Sequence, residues 1–164
     1  MQTYTSARTS INSARLPAIF GKIRPRSGEI VLDYGCGKYT EHIRSSIPEA
    51  VYLPYDPYNQ PDSVNMDSLQ TVADAIRSGC PVTVVCSNVL NVIDSDEEVM
   101  NIAGWILYIT KHTGGTAYIT VYEGNRSGSG RQTGPDQYQR NQPLREYLKY
   151  FPGAQIRSGM IVTR

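Results

Sequence analysis

Apolar positions along the chain fall into short blocks separated by polar or glycine-containing turns, and the blocks alternate between strand-like runs and helical spacing. Glu29 to Asp33 is a short apolar run entered through the turn signal Ser27-Gly28 and predicts a first strand. Glu41 to Ile47, ended by Pro48, predicts the helix that follows. Val51 to Tyr55 predicts a second strand, which Pro54 assigns toward a sheet edge because proline has no N–H to give a ladder. From Ser63 to Arg77, Val64, Leu69, Val72, Ala73 and Ile76 recur at helical spacing, with Gly79 as a stop. Val82 to Cys86 is β-branched and almost wholly apolar, as a central parallel strand covered on both faces requires. Ser95, with Glu98 three residues on, marks the start of a helix through Val99, Ile102, Ile106 and Ile109. Gly114-Gly115 ends it, and Thr116 to Tyr122 predicts another strand.

The chain's two ends complete this pattern. Ser13 is placed to cap a short helix through Leu16, Ile19 and Phe20, with Pro17 in its first turn and Gly21 near its end. Leu144, Tyr147, Leu148 and Phe151 mark a short helix stopped at Pro152-Gly153, and Ala154 to Arg157 with Met160 to Thr163 predict a hairpin joined at Ser158-Gly159. Strand and helix in alternation predict an α/β domain with a doubly wound, mainly parallel sheet. Two stretches stand outside the pattern: a Thr-, Ser- and Arg-rich arm up to residue 13, and a polar, irregular segment from 123 to 142. A long irregular segment in a compact domain is more often functional or mobile than structural.

Composition narrows this picture. The 164 residues suit one domain, 1–164, and 16 basic against 15 acidic residues leave a net charge of +1, so no global field draws the chain to nucleic acid or an anionic membrane. A polyanionic partner therefore needs a local basic patch. The three cysteines, Cys36, Cys80 and Cys86, show no C-x-x-C spacing, and reduced thiols in the cytoplasm are expected rather than a disulfide frame or zinc site. His42 and His112 have no partner spacing, so no metal role is assigned. The N-terminus has no apolar leader, and the longest hydrophobic stretch, Trp105 to Ile109, is too short to span a bilayer; no membrane partner is expected.

Parallel strands place their ligand sites at their carboxyl ends. Four clusters should therefore converge: Asp33-Tyr34-Gly35-Cys36-Gly37, Asp56-Pro57-Tyr58, Ser87-Asn88-Val89-Leu90-Asn91, and Tyr122-Glu123-Gly124. In the first, the glycines permit a tight turn and close backbone approach to a ligand. A dinucleotide fingerprint starting at Gly35 requires glycine where the chain has Thr40, and a diphosphate gains nothing from Asp33. S-adenosylmethionine carries an ammonium and a sulfonium and no phosphate, so an acid beside the turn is electrostatically sensible. Asp56 lies about twenty residues further on, after the second strand, where an acid can accept from both ribose hydroxyls or simply start a turn.

The D-x-G-x-G turn, the acid after the second strand, the run Val82 to Ile93, and Gly114 to Gly124 together resemble class I S-adenosylmethionine-dependent methyltransferases. More narrowly, Thr9 to Asn12 with Leu16-Pro17, and Ser127-Gly128-Ser129-Gly130-Arg131, resemble segments of small members encoded by bacteriophages and bacteria. This resemblance implies a three-layer Rossmann-like methyltransferase fold with a C-terminal antiparallel hairpin. Between the second strand and Val82 there is room for one helix only, so the sheet is expected to lack about one strand. It also implies a cytoplasmic location, that of the host if the protein is phage-encoded. Two further departures concern the site. Tyr39 replaces the turn's usual third glycine, and Cys86-Ser87-Asn88-Val89 carries neither the P-P-Y of amino-methyltransferases nor the Pro-Cys of cytosine-C5 enzymes, so Cys86 reads as a packing residue.

The cofactor set expected from these clusters is Asp33, Tyr34, Gly35, Cys36, Gly37, Asp56, Pro57, Ser87 and Asn88. Glu123 and Tyr122 are the candidate bases by position, and Asn88 either fixes an acceptor amine or makes a local turn. Arg126, Arg131, Tyr138 and Arg140 form the one basic, aromatic-interleaved segment and are the candidate grip on a nucleotide or DNA acceptor. A small-metabolite acceptor, and a cofactor-binding module without catalysis, are the alternatives.

Overall fold

The computed structural model describes residues 3–5 and 15–164. Four parallel strands, β1 (Ile30–Tyr34), β2 (Val51–Tyr55), β3 (Val82–Ser87) and β4 (Ala117–Thr120), form the body of a six-stranded sheet. Helices α1 (Glu41–Ser46), α2 (Asp62–Ser78) and α3 (Asp96–Thr113) connect them. Two further strands, β5 (Arg131–Gly134) and β6 (Gln137–Gln139), form a separate antiparallel pair, and β7 (Gln155–Arg157) with β8 (Met160–Thr163) closes the main sheet. The sheet order is β2-β1-β3-β4-β8-β7, with β8 antiparallel to both of its neighbours.

The chain runs outward from β1 to β2, then crosses back to the other side of β1 to lay down β3. That reversal puts the topological switch point between β1 and β3, where an open α/β sheet forms its ligand crevice. The fold class read from the sequence, α/β with a mainly parallel sheet and a C-terminal antiparallel hairpin, agrees with this architecture.

Both faces of the sheet are covered, unequally. On one, Leu32, Val84, Cys86 and Ile119 meet Val72 and Ala75 of α2 and Val99, Ile106 and Ile109 of α3. On the other, Val31, Tyr52 and Val85 meet only Ile43 and Ile47 of the α1 region and Ile19, Phe20 and Ile23 before β1. Burial of such side chains contributes roughly 1.5–3 kcal/mol each, which makes the long-helix face the stronger half of the core.

Local signals explain the element ends. Ser95 accepts a hydrogen bond from the Glu98 amide at 3.3 Å, and Asp96, Glu97 and Glu98 line the first turn of α3, where the helix dipole favours them. Gly79 and Gly114 end α2 and α3 in the left-handed conformation that side chains resist. Pro54 does lie on the edge strand, β2.

Four expectations are corrected. The helix expected from Ser13 is a 3-10 turn, Ala18–Gly21; Pro17 precedes it, and Ser13 lies outside the described residues, as does Thr9 to Asn12. The strand expected over 116–122 is confined to Ala117–Thr120. The segment 123–142 is not wholly irregular, because it contains the β5–β6 hairpin. The helix expected over 144–151 is a 3-10 helix, Leu144–Tyr150, started by Pro143 and too short to gain much from α geometry.

Candidate functional site

At the carboxyl edge, the β1 turn and the exit of β3 touch. Gly35 has φ +76°, and a Cβ there would stand 2.3 Å from a Val89 methyl. Glycine is therefore required by Val89 as well as by the turn. Close approach to this side chain is thus a second reason for glycine beside the close approach to a ligand expected from the sequence.

The amides of Gly35, Cys36 and Gly37 are engaged by the last residue of β2 and the acid that follows it. Gly35 and Cys36 donate to the Tyr55 carbonyl at 2.7 and 3.2 Å, and Gly37 donates to Asp56 Oδ2 at 3.0 Å. The carboxylate of Asp56 also accepts from the amides of Tyr58 and Asn59 and from Asn59 Nδ2. Asn65, on the first turns of α2, holds the backbone of Asp56 from both sides, accepting from its N–H at 2.9 Å and donating to its carbonyl at 3.1 Å. Asp56 is thus a brace between the ends of β1 and β2, and a ribose would share or displace Asn59. Pro57 is exposed beside it.

Asp33 is the opposite case. It is 2 % exposed, and the hydrogen bond it receives comes from the Tyr52 hydroxyl to Oδ2 at 2.7 Å; Oδ1 receives none among the described residues. Burial, opposed by the Tyr52 hydrogen bond and assisted by the charge of Asp56, pushes its carboxyl up to about 7. Tyr34 packs its ring against Tyr55 at 5.1 Å between centroids. Cys36 and Cys86 are buried, and desolvation pushes both thiols up, so neither is a ready nucleophile; Cys80 is exposed. Among the described residues, no group of His, Cys, Asp and Glu is arranged to hold a metal ion.

The edge is therefore a poor anion cradle, because its turn amides already have acceptors, and a good cation cradle, because two carboxylates lie beneath it. A cationic, phosphate-free ligand such as S-adenosylmethionine fits this electrostatics better than a dinucleotide does.

At β3, Ser87 accepts from the Thr120 hydroxyl at 3.1 Å. Asn88 is exposed with φ +58°, and its amide donates to the Thr120 carbonyl at 2.9 Å. Asparagine tolerates this left-handed backbone better than most residues.

Across the crevice, several expected roles change. Tyr122 is 64 % exposed. Glu123 Oε1 accepts from the Leu144 amide at 2.6 Å, capping the 3-10 helix, while Oε2 pairs with Arg126. The Leu144 hydrogen bond holds its carboxyl below the usual range against the opposing effect of burial, with Arg126 assisting, which disfavours the base role assigned from position. Arg126 is thereby a partner of Glu123 on an exposed turn.

Arg140 is 5 % exposed and turned inward. Its Nε donates to the Ile93 carbonyl, its Nη1 pairs with Asp96 at 2.6 Å, and Asp96 also accepts from the Tyr150 hydroxyl at 2.8 Å. Arg140 leaves the substrate set and becomes a clamp between the 123–142 segment and the start of α3. Of that set, Arg131 stays exposed on β5 and Tyr138 is half-buried on β6.

Asn91 belongs to the cluster expected after the third strand, and Tyr138 to the expected substrate set, but the partners that fix them carry no sequence signal. Asn91 receives the Tyr122 amide at 3.4 Å and donates to Gln139 at 3.1 Å, while Gln139 donates to the Tyr122 carbonyl at 2.9 Å; these contacts tie the hairpin to the carboxyl edge. At the N-terminus, Thr3 donates to Asp94, Thr5 donates to Asp136, and the ring of Tyr4 lies on that of Tyr138. Polar residues in loops look alike in a sequence, and only the paired geometry distinguishes these.

Two open grooves flank the site. One of about 490 Å³ is lined by Glu123, Arg126, Leu144, Arg145 and Ile156. The larger, about 660 Å³, lies between α2 and α3 among Leu69, Ala73, Ile76, Trp105 and Tyr108, away from both acids, so its size carries no chemistry. Among the described residues, no helix is long and apolar enough to cross a membrane.

Comparison with protein-family models, curated proteins and solved structures finds no match to the chain.

Proposed function

We propose that the chain is a class I S-adenosylmethionine-dependent methyltransferase that acts on DNA or a nucleotide. The observation that carries this reading is the pair of buried acids, Asp33 and Asp56, beneath a glycine turn at the β1/β3 switch point, with the turn's own amides engaged. The sheet order supports it further: β2-β1-β3-β4 is the doubly wound order short of its outermost strand, with the reversed C-terminal hairpin that the methyltransferase resemblance implies.

Bound S-adenosylmethionine supplies an electrophilic methyl group on a positively charged sulfur. Asp33 holds the cationic end of the cofactor, Asp56 and its loop face the ribose, and Asn88 stands on the acceptor side. Alignment contributes most of the rate for such a transfer, so few residues need exchange protons. Calorimetry tests this: S-adenosylmethionine and S-adenosylhomocysteine should both bind, and an absence of binding overturns the reading. Labelled-methyl transfer to DNA, RNA, nucleotides and cell metabolites then identifies the acceptor.

A second reading, a cofactor-binding module without catalysis, is favoured by one observation. Glu123, the best-placed acid on the acceptor side, is engaged by Leu144 and Arg126. Cofactor binding with no transfer to any acceptor would select it.

A further inference from the structure

The hairpin β5–β6 holds Tyr138 in a fixed pose. Its neighbour Gln139 is locked by Asn91 and the Tyr122 carbonyl, which sets the register of β6 against the end of β4. Its hydroxyl lies where a Cβ of residue 130 would be, 1.7 Å from that position, so only glycine fits at Gly130. One face of the ring is covered by Tyr4, nearly parallel at 6° and with centroids 5.9 Å apart.

Tyr4 is presented there by contacts on both of its sides. The Thr3 amide donates to Asp94 Oδ1 and Oδ2 at 3.0 and 3.2 Å, on the connection between β3 and α3. The Thr5 amide donates to Asp136 Oδ1 at 3.0 Å, in the hairpin turn, and the Thr5 hydroxyl donates to the same carboxylate. Residues 3–5 thus form a strap from the β3 exit to the hairpin, with an aromatic ring at its centre. Its anchors are exposed or half-buried carboxylates, where each contact adds little net free energy.

Arg131 pairs with Gln139, one pair along from Gln132 and Tyr138, so strand alternation assigns it to the other face of the ribbon from the Tyr138 ring. An aromatic face held in a fixed pose is itself the chemistry that binds a nucleobase by stacking.

We propose that Tyr138 is the stacking platform for the acceptor's nucleobase and that Tyr4 is its built-in occupant, which the base displaces on binding. The acceptor's role in catalysis rests on the methyl-transfer reading; the platform itself does not. A population of docked strap lowers apparent affinity by the undocked fraction, so loosening the strap tightens base binding.

The test uses the fluorescence of 2-aminopurine, which stacking quenches, in a short single-stranded oligonucleotide and, as a second arm, in the free nucleoside monophosphate. Quenching by wild type is expected in at least one arm, and which arm responds distinguishes nucleic acid from free nucleotide. Tyr138→Leu should weaken binding about tenfold or more, whereas Tyr138→Phe should retain it. Tyr4→Ser, which removes the occupant, and Asp136→Ala, which removes one of its anchors, should each tighten binding about threefold or more. The proposal is overturned if neither arm is quenched, if Tyr138→Leu binds as wild type does, or if Tyr4→Ser weakens binding in step with Tyr138→Leu, which would make Tyr4 part of the site. Calorimetry with S-adenosylhomocysteine on the same preparations separates the two claims. Quenching without cofactor binding removes the methyltransferase reading and leaves the platform; cofactor binding without quenching does the reverse.

Discussion

Asp33 and Arg140 are both nearly enclosed charged side chains, 2 % and 5 % exposed, on opposite sides of one crevice, yet their surroundings differ in kind. Arg140 has a carbonyl, a carboxylate and, through that carboxylate, a tyrosine hydroxyl. Among the described residues, Asp33 has one hydroxyl and no counter-charge. A buried charge with a counter-charge holds elements together, even where one nitrogen, Arg140 Nη2, has no partner among the described residues, while one without a counter-charge strains the folded state. On the proposed reading, the β1–β2 side receives a ligand's charge. The hairpin side uses its charge on itself and presents aromatic surface instead.

Removing the clamp should have the largest effect on stability. Arg140→Ala loses charge-assisted hydrogen bonds and their packing, about 2–3 kcal/mol, visible as a lower urea midpoint with little change in intrinsic cofactor affinity. An unchanged midpoint would break the contrast. Asp56→Ala unties the β1 turn from its loop and should cost about 1.5–3 kcal/mol of stability and about tenfold or more in S-adenosylhomocysteine affinity by calorimetry.

Asp33→Asn should act with the opposite sign on stability. A carboxyl raised from 3.8 to about 7 in the folded state stabilises the protein below the lower value and loses that contribution as pH rises through the higher one. Thermal unfolding should accordingly show Asp33→Asn neutral near pH 4 and more stable than wild type at pH 8, by on the order of 2 kcal/mol. Its cofactor affinity should fall, and wild-type affinity should rise with pH through about 7 as the carboxyl ionises. A destabilised Asp33→Asn at pH 8 would show that the acid is paired after all. Smallest of all is Glu123→Gln, which keeps an acceptor for Leu144 and loses an exposed ion pair worth less than about 1 kcal/mol. Turnover should stay near wild type; a fall of about a hundredfold at unchanged cofactor affinity would restore Glu123 as the base.

The strands and long helices were legible because period and chemistry agreed in them. The unbroken β-branched run of Val82 to Cys86 could only be central, Pro54 only peripheral, and Ser95 with Gly114 bracketed α3. The acids and glycines of the crevice were legible as residues but not in their roles. Whether Asp56 faces a ligand or braces a turn depends on Asn59 and Asn65, whose side chains reach it only in the folded chain. The β5–β6 hairpin was hidden because Arg131 to Gln139 has no apolar alternation; its register depends on Tyr138 against Gly130 and on Gln139 against Asn91. Burial of Arg140 was hidden for a related reason, since an arginine among polar residues reads as solvated until its carboxylate arrives from α3.

The distribution of the thiols also has a practical meaning. Cys36 and Cys86 are sealed and resist ionisation, whereas Cys80 is open and lies at the amino end of β3, the far edge of the sheet from the crevice. A maleimide dye added to the wild-type protein should therefore attach at Cys80 alone, giving one reporter without mutagenesis. Paired with a second dye at the N-terminus, it offers a distance gauge for whether the strap is docked or swung away.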